Sequence, residues 1–258
     1  MNRNNSVHMP TKFKQQEIQF TCNHLKLSGT LHLPDNHTPD TPCIIGSHGL
    51  FSDASSPKQI ALAHACNEKN MAYFRFDHRG CGKSEGDFKS ETTITNRFND
   101  FCAAIQTIKG HPETGNPMGF FGSSLGGAIV LLAALSKAPY AAMVTLSAPI
   151  SMNSVWDVLV KNNQDQLLCN AFYDEAIQFN INNKLHQINN ILVFHGTQDE
   201  VVPVSNAKNL FNAVRDPKEL YLFERGCHQL SDKNHQALFI KKTVDWFDYF
   251  TQLVHRLE

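Results

Sequence analysis

The sequence predicts an α/β protein, with a mainly parallel, twisted sheet and helices on both of its faces. Short apolar runs alternate with helical segments along most of the 258-residue chain, which is typical of parallel strands joined by crossover helices. Runs such as residues 71–77 and 190–196 carry apolar side chains at consecutive positions, as expected for strands buried on both faces. The chain has no internal repeat and no low-complexity linker, so we expect a single domain over residues 1–258.

An antiparallel hairpin, with strands at 17–22 and 25–34, is predicted to precede the alternating segments. Within the segment 93–110, apolar residues recur at intervals of three and four, which predicts a helix with one buried face. The further predicted strands are 43–49, 71–77, 118–122, 141–149, 190–196 and 218–224. The predicted helices are 57–70, 93–110, 125–137, 205–214 and 235–255.

Residues 151–189 interrupt this alternation. The segment is rich in asparagine and contains helical patches but no convincing strand. A connection of this length usually carries function or covers a site, so we expect a small helical lid. A plain crossover helix followed by a loop is the alternative. The apolar lid residues that could line a pocket, or simply bury the lid, are Val155, Trp156, Val158, Leu159, Leu167, Leu168 and Phe172.

The composition excludes several classes of protein. A net charge of −1 gives no basic field for nucleic acid or anionic membranes. No apolar run is long enough to span a membrane, and the first 16 residues lack the apolar core of a signal peptide. The seven cysteines are scattered, without a C-x-x-C pair, which favours reduced thiols over disulfides or a zinc site. We therefore expect a cytoplasmic protein that acts on a small molecule; whether it forms homo-oligomers is left open.

Residues 122–126, "GSSLG", match the pattern G-x-S-x-G between a predicted strand and a predicted helix. In a nucleophile elbow the serine lies on a strained strand-to-helix turn, and its neighbours two positions away must be small. Gly122 and Gly126 meet this requirement. The pattern predicts Ser124 as a nucleophile and Ser123 as its structural neighbour, whereas a glycine-rich turn without chemistry is the alternative.

A serine nucleophile needs a base beside it and an acid that orients the base. In proteins with this type of elbow the partners follow in the order serine, acid, histidine. Asp199 follows the predicted strand 190–196, and His228 follows the strand 218–224. Because ligands bind at the carboxyl ends of parallel strands, we expect Ser124, Asp199 and His228 to meet at one edge of the sheet.

Other residues compete for these roles. Glu200 is an alternative acid, and Asp232 could also neighbour His228, although a solvated carboxylate is expected there. His48 and His195 precede glycines at strand ends and are interpreted as structural residues that hold their loops by hydrogen bonds. The chain has thirteen histidines. A histidine therefore indicates a catalytic base only if it follows the serine and the acid along the chain.

A developing oxyanion needs hydrogen-bond donors, normally the N–H of the residue after the nucleophile and one N–H from the loop after an early strand. The stretch "SHGLF", residues 47–51, follows the first buried strand, and Gly49 permits close approach of its backbone. We expect the N–H groups of Leu50 and Leu125 to form the oxyanion hole, with Phe51 as the competitor of Leu50.

Five stretches, "SHGLF", "FDHRGCGKSEG", "GSSLGG", "HGTQDEVVP" and "GCH", together resemble the α/β-hydrolase superfamily over residues 17–255. The compact loop 77–86 and the short lid resemble the serine aminopeptidase and monoacylglycerol-lipase-like group, including small cinnamoyl and feruloyl esterases. The resemblance implies an α/β-hydrolase fold, a Ser124–His228–Asp199 triad, no cofactor and ester hydrolysis through an acyl-enzyme. The "GKS" of this loop is not a phosphate-binding motif, because Asp77 stands where glycine is required.

The leading hypothesis is a carboxylesterase that cleaves small to medium acyl or aryl esters. An aminopeptidase-like amidase would need a lid carboxylate to bind a substrate ammonium group. Thioesterases and acyltransferases use the same machinery, and one fold hosts many functions. A hydrolase-fold binding protein with an unused triad is the alternative from another class. The lid carboxylates that the amidase hypothesis could use are Asp157, Asp165, Asp174 and Glu175.

Overall fold

The computed structural model describes residues 13–256, so the N-terminal stretch without a signal-peptide pattern lies almost wholly outside the described residues. Within these residues there are eight strands and eight α-helices, which alternate over much of their length. The strands are β1 (Lys14–Cys22), β2 (Leu25–Leu33), β3 (Cys43–Ser47), β4 (Ala72–Phe76), β5 (Pro117–Ser123), β6 (Ala142–Leu146), β7 (Ile191–Gly196) and β8 (Lys218–Phe223). The helices are α1 (Pro57–Glu68), α2 (Phe88–Glu91), α3 (Ile94–Lys109), α4 (Leu125–Leu135), α5 (Asn153–Lys161), α6 (Asn170–Gln178), α7 (Ser205–Ala213) and α8 (Lys233–His255).

The strands form one sheet in the order β1-β2-β4-β3-β5-β6-β7-β8. β1 and β2 form the predicted antiparallel hairpin, and β2 pairs antiparallel with β4. All pairs from β4 to β8 are parallel. This eight-stranded, mainly parallel sheet confirms the predicted architecture. The short helix α2 was not predicted; Asp87 caps it by accepting a hydrogen bond from the N–H of Ser90.

The core lies in two layers, one on each face of the sheet. Because successive side chains of a strand point to opposite faces, the neighbours Phe120 and Phe121 on β5 belong to different layers. Phe120 packs edge-on against Phe101 of α3, and Phe121 packs against Phe239 of α8. Helices therefore cover both faces, which explains why the central strands are apolar at consecutive positions.

The segment 151–189 contains α5, α6 and two short 3₁₀ helices, Asp165–Leu167 and Asn182–Gln187. Its only β-type contact within the described residues is an isolated bridge between Ser151 and Asn180. Several of its apolar side chains join the same hydrophobic cluster as the sheet. Of residues 13–256, no helix combines the length and apolarity that a membrane crossing requires.

His32 on β2 is a buried histidine whose surroundings favour the neutral ring. Its Nε2 accepts a hydrogen bond of 2.8 Å from Nε of Arg75, and its Nδ1 has no hydrogen-bond partner among the residues that the structure describes. Burial, followed by repulsion from the Arg75 guanidinium, lowers the pKa of His32 to about 4. Protonation would replace the hydrogen bond with two facing cations.

This environment predicts loss of stability in mild acid. The folded-state pKa of His32 lies below the unfolded value of 6.5. The contribution of the neutral ring to the free energy of unfolding is therefore fully present above pH 6.5 and is lost as the pH falls towards 4. The change from pH 7 to pH 5 should cost about 2 kcal/mol at this residue. Urea unfolding at both pH values should show that His32→Gln, whose amide oxygen can still accept from Arg75, removes most of this loss. The exposed His186→Gln serves as the control. If both variants lost the same free energy of unfolding between pH 7 and pH 5, the prediction would be contradicted.

Candidate active site

Ser124 forms a one-residue turn between β5 and α4. Its φ of 52° and ψ of −125° lie in a region that residues with a side chain rarely adopt, at a cost of about 1–3 kcal/mol. The turn is held by hydrogen bonds of 2.8 Å from the Ser124 N–H to the Leu146 carbonyl and from the Gly127 N–H to the Ser124 carbonyl. The backbone strain is therefore offset by the surrounding strand and helix.

The glycines around Ser124 are required by close backbone contacts. A side chain at Gly122 would overlap the carbonyl of Gly126, and one at Gly126 would overlap the carbonyl of Ser47 at the end of β3. This agrees with the expectation that the neighbours two positions away are small. The elbow thus lies directly against the chain that leaves β3, close to Gly49.

Three predicted side chains meet in a hydrogen-bonded chain. Nε2 of His228 lies 3.0 Å from Oγ of Ser124, and Nδ1 of His228 lies 2.9 Å from both carboxylate oxygens of Asp199. The three residues follow β5, β7 and β8, whose carboxyl ends share one edge of the sheet. The Asp199 carboxylate is fully buried, whereas the His228 side chain retains 15% exposure. The arrangement places the His228 ring as a proton acceptor next to Ser124, and the Asp199 carboxylate orients this ring through its Nδ1.

The Asp199 carboxylate accepts more hydrogen bonds than the sequence indicated. It accepts from the N–H groups of Val201 and Val202 at 3.0 and 2.8 Å, and Nε2 of His195 lies 3.3 Å from its Oδ2. The same Nε2 lies 2.8 Å from the Val202 carbonyl, which can only accept, so this nitrogen carries the proton. Burial alone would raise the pKa of Asp199, but hydrogen bonds from His195 and His228 lower it well below the usual range.

The competing residues occupy other positions. Glu200 accepts a hydrogen bond from the backbone N–H of His228 at 3.1 Å, not from its ring. Asp232 caps α8 by accepting from the N–H groups of Asn234 and His235. His48 bonds to the Gly49 carbonyl through Nδ1 at 2.9 Å, as expected for a structural role. His195 holds its loop in the same way and also contacts Asp199, which the spacing of the sequence did not indicate.

A second serine–histidine–aspartate set lies in the interior. Oγ of Ser47 is 2.9 Å from Nε2 of His78, and Nδ1 of His78 is 3.5 Å from the carboxylate of Asp100. Asp100 is bound by the Arg79 guanidinium at 2.7 Å. All four residues are buried, and none lines the cleft described next.

Ser124 and His228 lie in a cleft of about 930 Å³. Leu50, Phe51 and Leu125 also line it, and among residues 13–256 the N–H groups of these three residues make no hydrogen bond within the protein. They are therefore free to bind an oxygen atom of a ligand.

The lining of the cleft is partly apolar and partly polar. Of the lid residues considered from the sequence, Val155 and Leu159 line it; Trp156 packs instead against the Tyr173 ring of α6. Gln164 is a polar lid residue that also lines the cleft. Lys58 lines the cleft as well, and its Nζ donates to the Gln229 carbonyl. The apolar lining at and next to the lid includes Pro149, Met152, Val155 and Leu159. The polar lining outside the lid includes Ser52, Asp53, Ser55, Ser56, Lys58, Gln229, Ser231 and Gln236.

The model of the family described as serine aminopeptidase, S33, matches residues 39–168, about half of the chain. The mouse (Mus musculus) mitochondrial protein named palmitoyl-protein thioesterase ABHD10 is 23% identical over 237 residues, which cover 83% of this chain and 78% of that protein. The match to the family model contains the elbow and the loop after β3.

Solved structures share the fold. The esterase domain of a Rhodothermus marinus protein superposes with a TM-score of 0.72 at 22% identity, covering 92% of this chain and 99% of that domain. Est1E from Butyrivibrio proteoclasticus, solved with ferulic acid bound, gives a TM-score of 0.73 at 19% identity, covering 91% and 98% of the two chains. These similarities confirm the predicted α/β-hydrolase fold.

Proposed function

Because this chain belongs to the serine aminopeptidase S33 family of α/β hydrolases, we propose that it is a serine hydrolase that cleaves small to medium acyl or aryl esters. The observation that carries the proposal is the hydrogen-bonded chain from Ser124 through His228 to the buried Asp199. A serine hydroxyl becomes an effective nucleophile when a positioned base removes its proton.

In the proposed reaction, Oγ of Ser124 attacks the ester carbonyl carbon while Nε2 of His228 takes its proton. Asp199 stabilises the imidazolium and keeps the proton on Nδ1. The N–H groups of Leu50 and Leu125 bind the oxyanion of the tetrahedral intermediate. His228 then protonates the leaving alcohol, and the acyl group stays on Ser124. A water molecule, deprotonated by His228, releases the acid by the same steps in reverse.

The lining of the cleft supports an uncharged acyl or aryl group beside the lid. Met152, Val155 and Leu159 offer an apolar surface there, and burial of apolar area contributes about 25 cal/mol per Å². The amidase alternative needs a carboxylate for the substrate ammonium group. The lid carboxylates do not line the cleft, and Asp53, which does, already accepts hydrogen bonds from Ser55. This favours esters over aminoacyl amides.

Thioester hydrolysis is the second candidate, favoured by the match to the mouse protein named as a palmitoyl-protein thioesterase. The same attack on a carbonyl carbon would release a thiol instead of an alcohol. Esters and thioesters with one common acyl group should be compared by kcat/KM. A clear preference for the thioester would replace the ester as the proposed substrate.

The test of the proposal is covalent labelling combined with turnover. A fluorophosphonate probe should label the folded protein at Ser124, located by mass spectrometry, and a panel of p-nitrophenyl and hydroxycinnamate esters should include substrates that are hydrolysed. Ser123→Ala is the matched control, because Ser123 also lines the cleft; this variant should still be labelled. A folded protein that is neither labelled nor active would favour a binding protein and contradict the proposal.

A further inference from the structure

Arg97 on the first turn of α3 is a fully buried cation with an unusual set of partners. Its Nη1 donates to the Gly49 carbonyl at 3.1 Å, and its Nη2 donates to the Leu50 carbonyl at 2.9 Å. Nη2 also lies 3.4 Å from Sγ of Cys81, and Nε has no hydrogen-bond partner in the described part of the chain. Within residues 13–256 no carboxylate lies within ion-pairing distance of Arg97.

This arrangement is costly for stability alone. A buried guanidinium loses its hydration, and normally a hydrogen-bonded carboxylate compensates for that loss. The nearby Asp100 is instead occupied by Arg79. The charge of Arg97 is therefore directed entirely at the two carbonyl groups of the loop after β3 and at one thiol.

The two carbonyls determine where the neighbouring N–H groups point. A peptide unit is planar and trans, so the C=O of Gly49 and the N–H of Leu50 point in opposite directions. By holding the Gly49 oxygen, Arg97 directs the Leu50 N–H away from α3. The Leu50 oxygen orients the Phe51 N–H in the same way. Leu50 and Phe51 both line the cleft.

His48 supports the same peptide unit from a second direction. Its Nδ1 lies 2.9 Å from the Gly49 carbonyl, and its Nε2 accepts from the N–H of His78 at 3.1 Å. One neutral tautomer, with the proton on Nδ1, satisfies both bonds. The Gly49 oxygen thus accepts two hydrogen bonds from side chains that do not line the cleft, while Gly49 itself lies against Ser124.

We propose that Arg97 is a positioning residue that holds the Gly49–Leu50 peptide with its N–H towards the oxyanion. The inference rests on the proposed function, because it concerns the same reaction. Without the guanidinium, the Gly49 oxygen keeps only the hydrogen bond from His48, and the glycine before Leu50 gives the peptide more freedom to rotate. Rotation would turn a carbonyl oxygen, instead of an N–H, towards the negative charge that develops next to Ser124.

The test compares Arg97→Met with Phe101→Leu, a core substitution one turn further along α3, where the Phe101 ring packs against the rings of Phe76 and Phe120. With the best ester of the panel, Arg97→Met should lower kcat by about 10²-fold, the effect of losing one oxyanion donor, and leave KM nearly unchanged. Affinity for an alkyl trifluoromethyl ketone, which places an oxyanion in the hole after addition of Ser124, should fall by the same factor. Because a partly unfolded protein has a weaker apparent affinity, the folded fraction of each variant should be measured by circular dichroism, and the affinity corrected for it.

Arg97→Lys keeps the charge but cannot reach both carbonyls, so it should lose about 10-fold in kcat and in ketone affinity. If Arg97→Met does not fold, the losses measured for Arg97→Lys alone decide whether the inference holds. The inference is overturned if kcat and ketone affinity change no more than in Phe101→Leu while the wild type is active. A wild type that hydrolyses no ester would instead overturn the proposed function, and this inference with it.

Discussion

Ser124→Ala should lower kcat by about 10⁶-fold, because removal of the proposed nucleophile leaves only binding and the proposed oxyanion donors. The fold should persist, since the backbone hydrogen bonds of the turn do not use the hydroxyl. Alanine must still adopt the positive φ of residue 124, so the unfolding temperature should stay close to that of the wild type. Activity should be measured with an active-site titration of the wild type, so that residual turnover is expressed per folded molecule.

The matched control is Ser123→Ala. Ser123 ends β5 beside Ser124 and lines the cleft, yet its hydroxyl makes no hydrogen bond to Ser124, His228 or Asp199. Its loss should change kcat by less than about 10-fold, within the range of a contact outside the reacting groups. Equal losses in the two variants, or full activity of Ser124→Ala, would show that Ser124 is not the nucleophile.

Asp199→Asn should lower kcat by about 10⁴-fold, although it removes no group that touches the substrate. The amide NH₂ can donate to Nδ1 of His228, which leaves the ring proton on Nε2. That nitrogen faces Ser124 at 3.0 Å and could then no longer accept the hydroxyl proton. The loss should appear in kcat for every ester of the panel, since His228 is the proposed base for all of them.

Glu200→Gln distinguishes the two acids of this loop. Glu200 binds the backbone N–H of His228, and a glutamine oxygen can accept the same bond. This variant should therefore retain kcat within about 10-fold, as expected for a group that does not orient the base. A larger loss in Glu200→Gln than in Asp199→Asn would assign the acid to position 200.

The strands could be predicted from the sequence because each central strand is buried on both faces and carries apolar residues at consecutive positions. β5 and β7 were therefore located within one residue of their observed ends. The order of the strands could not be derived in this way, since nothing in the sequence of β4 states that it lies between β2 and β3. The short helix α2 is stabilised by a single capping aspartate. It is too short to show the spacing of apolar residues by which the longer helices were predicted.

The candidate site was predictable where it follows strand ends in a fixed order. Ser124, Asp199 and His228 each come just after a parallel strand, so the topology brings them together. The contact of His195 with Asp199 depends on the turn between them, and the partners of Arg97 depend on how α3 packs against the loop after β3. Such contacts join segments distant in the chain, and no spacing pattern marks them.

The buried set of Ser47, His78 and Asp100 has a consequence for how active serines are recognised. Its Ser47–His78 distance of 2.9 Å is as short as that between Ser124 and His228, so a search by interatomic geometry would retrieve both. Yet no solute can diffuse to Ser47, whose relative exposure is 0%. In this molecule, accessibility to an incoming reagent separates two chemically similar alcohols, one of which could react while the other only binds neighbouring chain segments together.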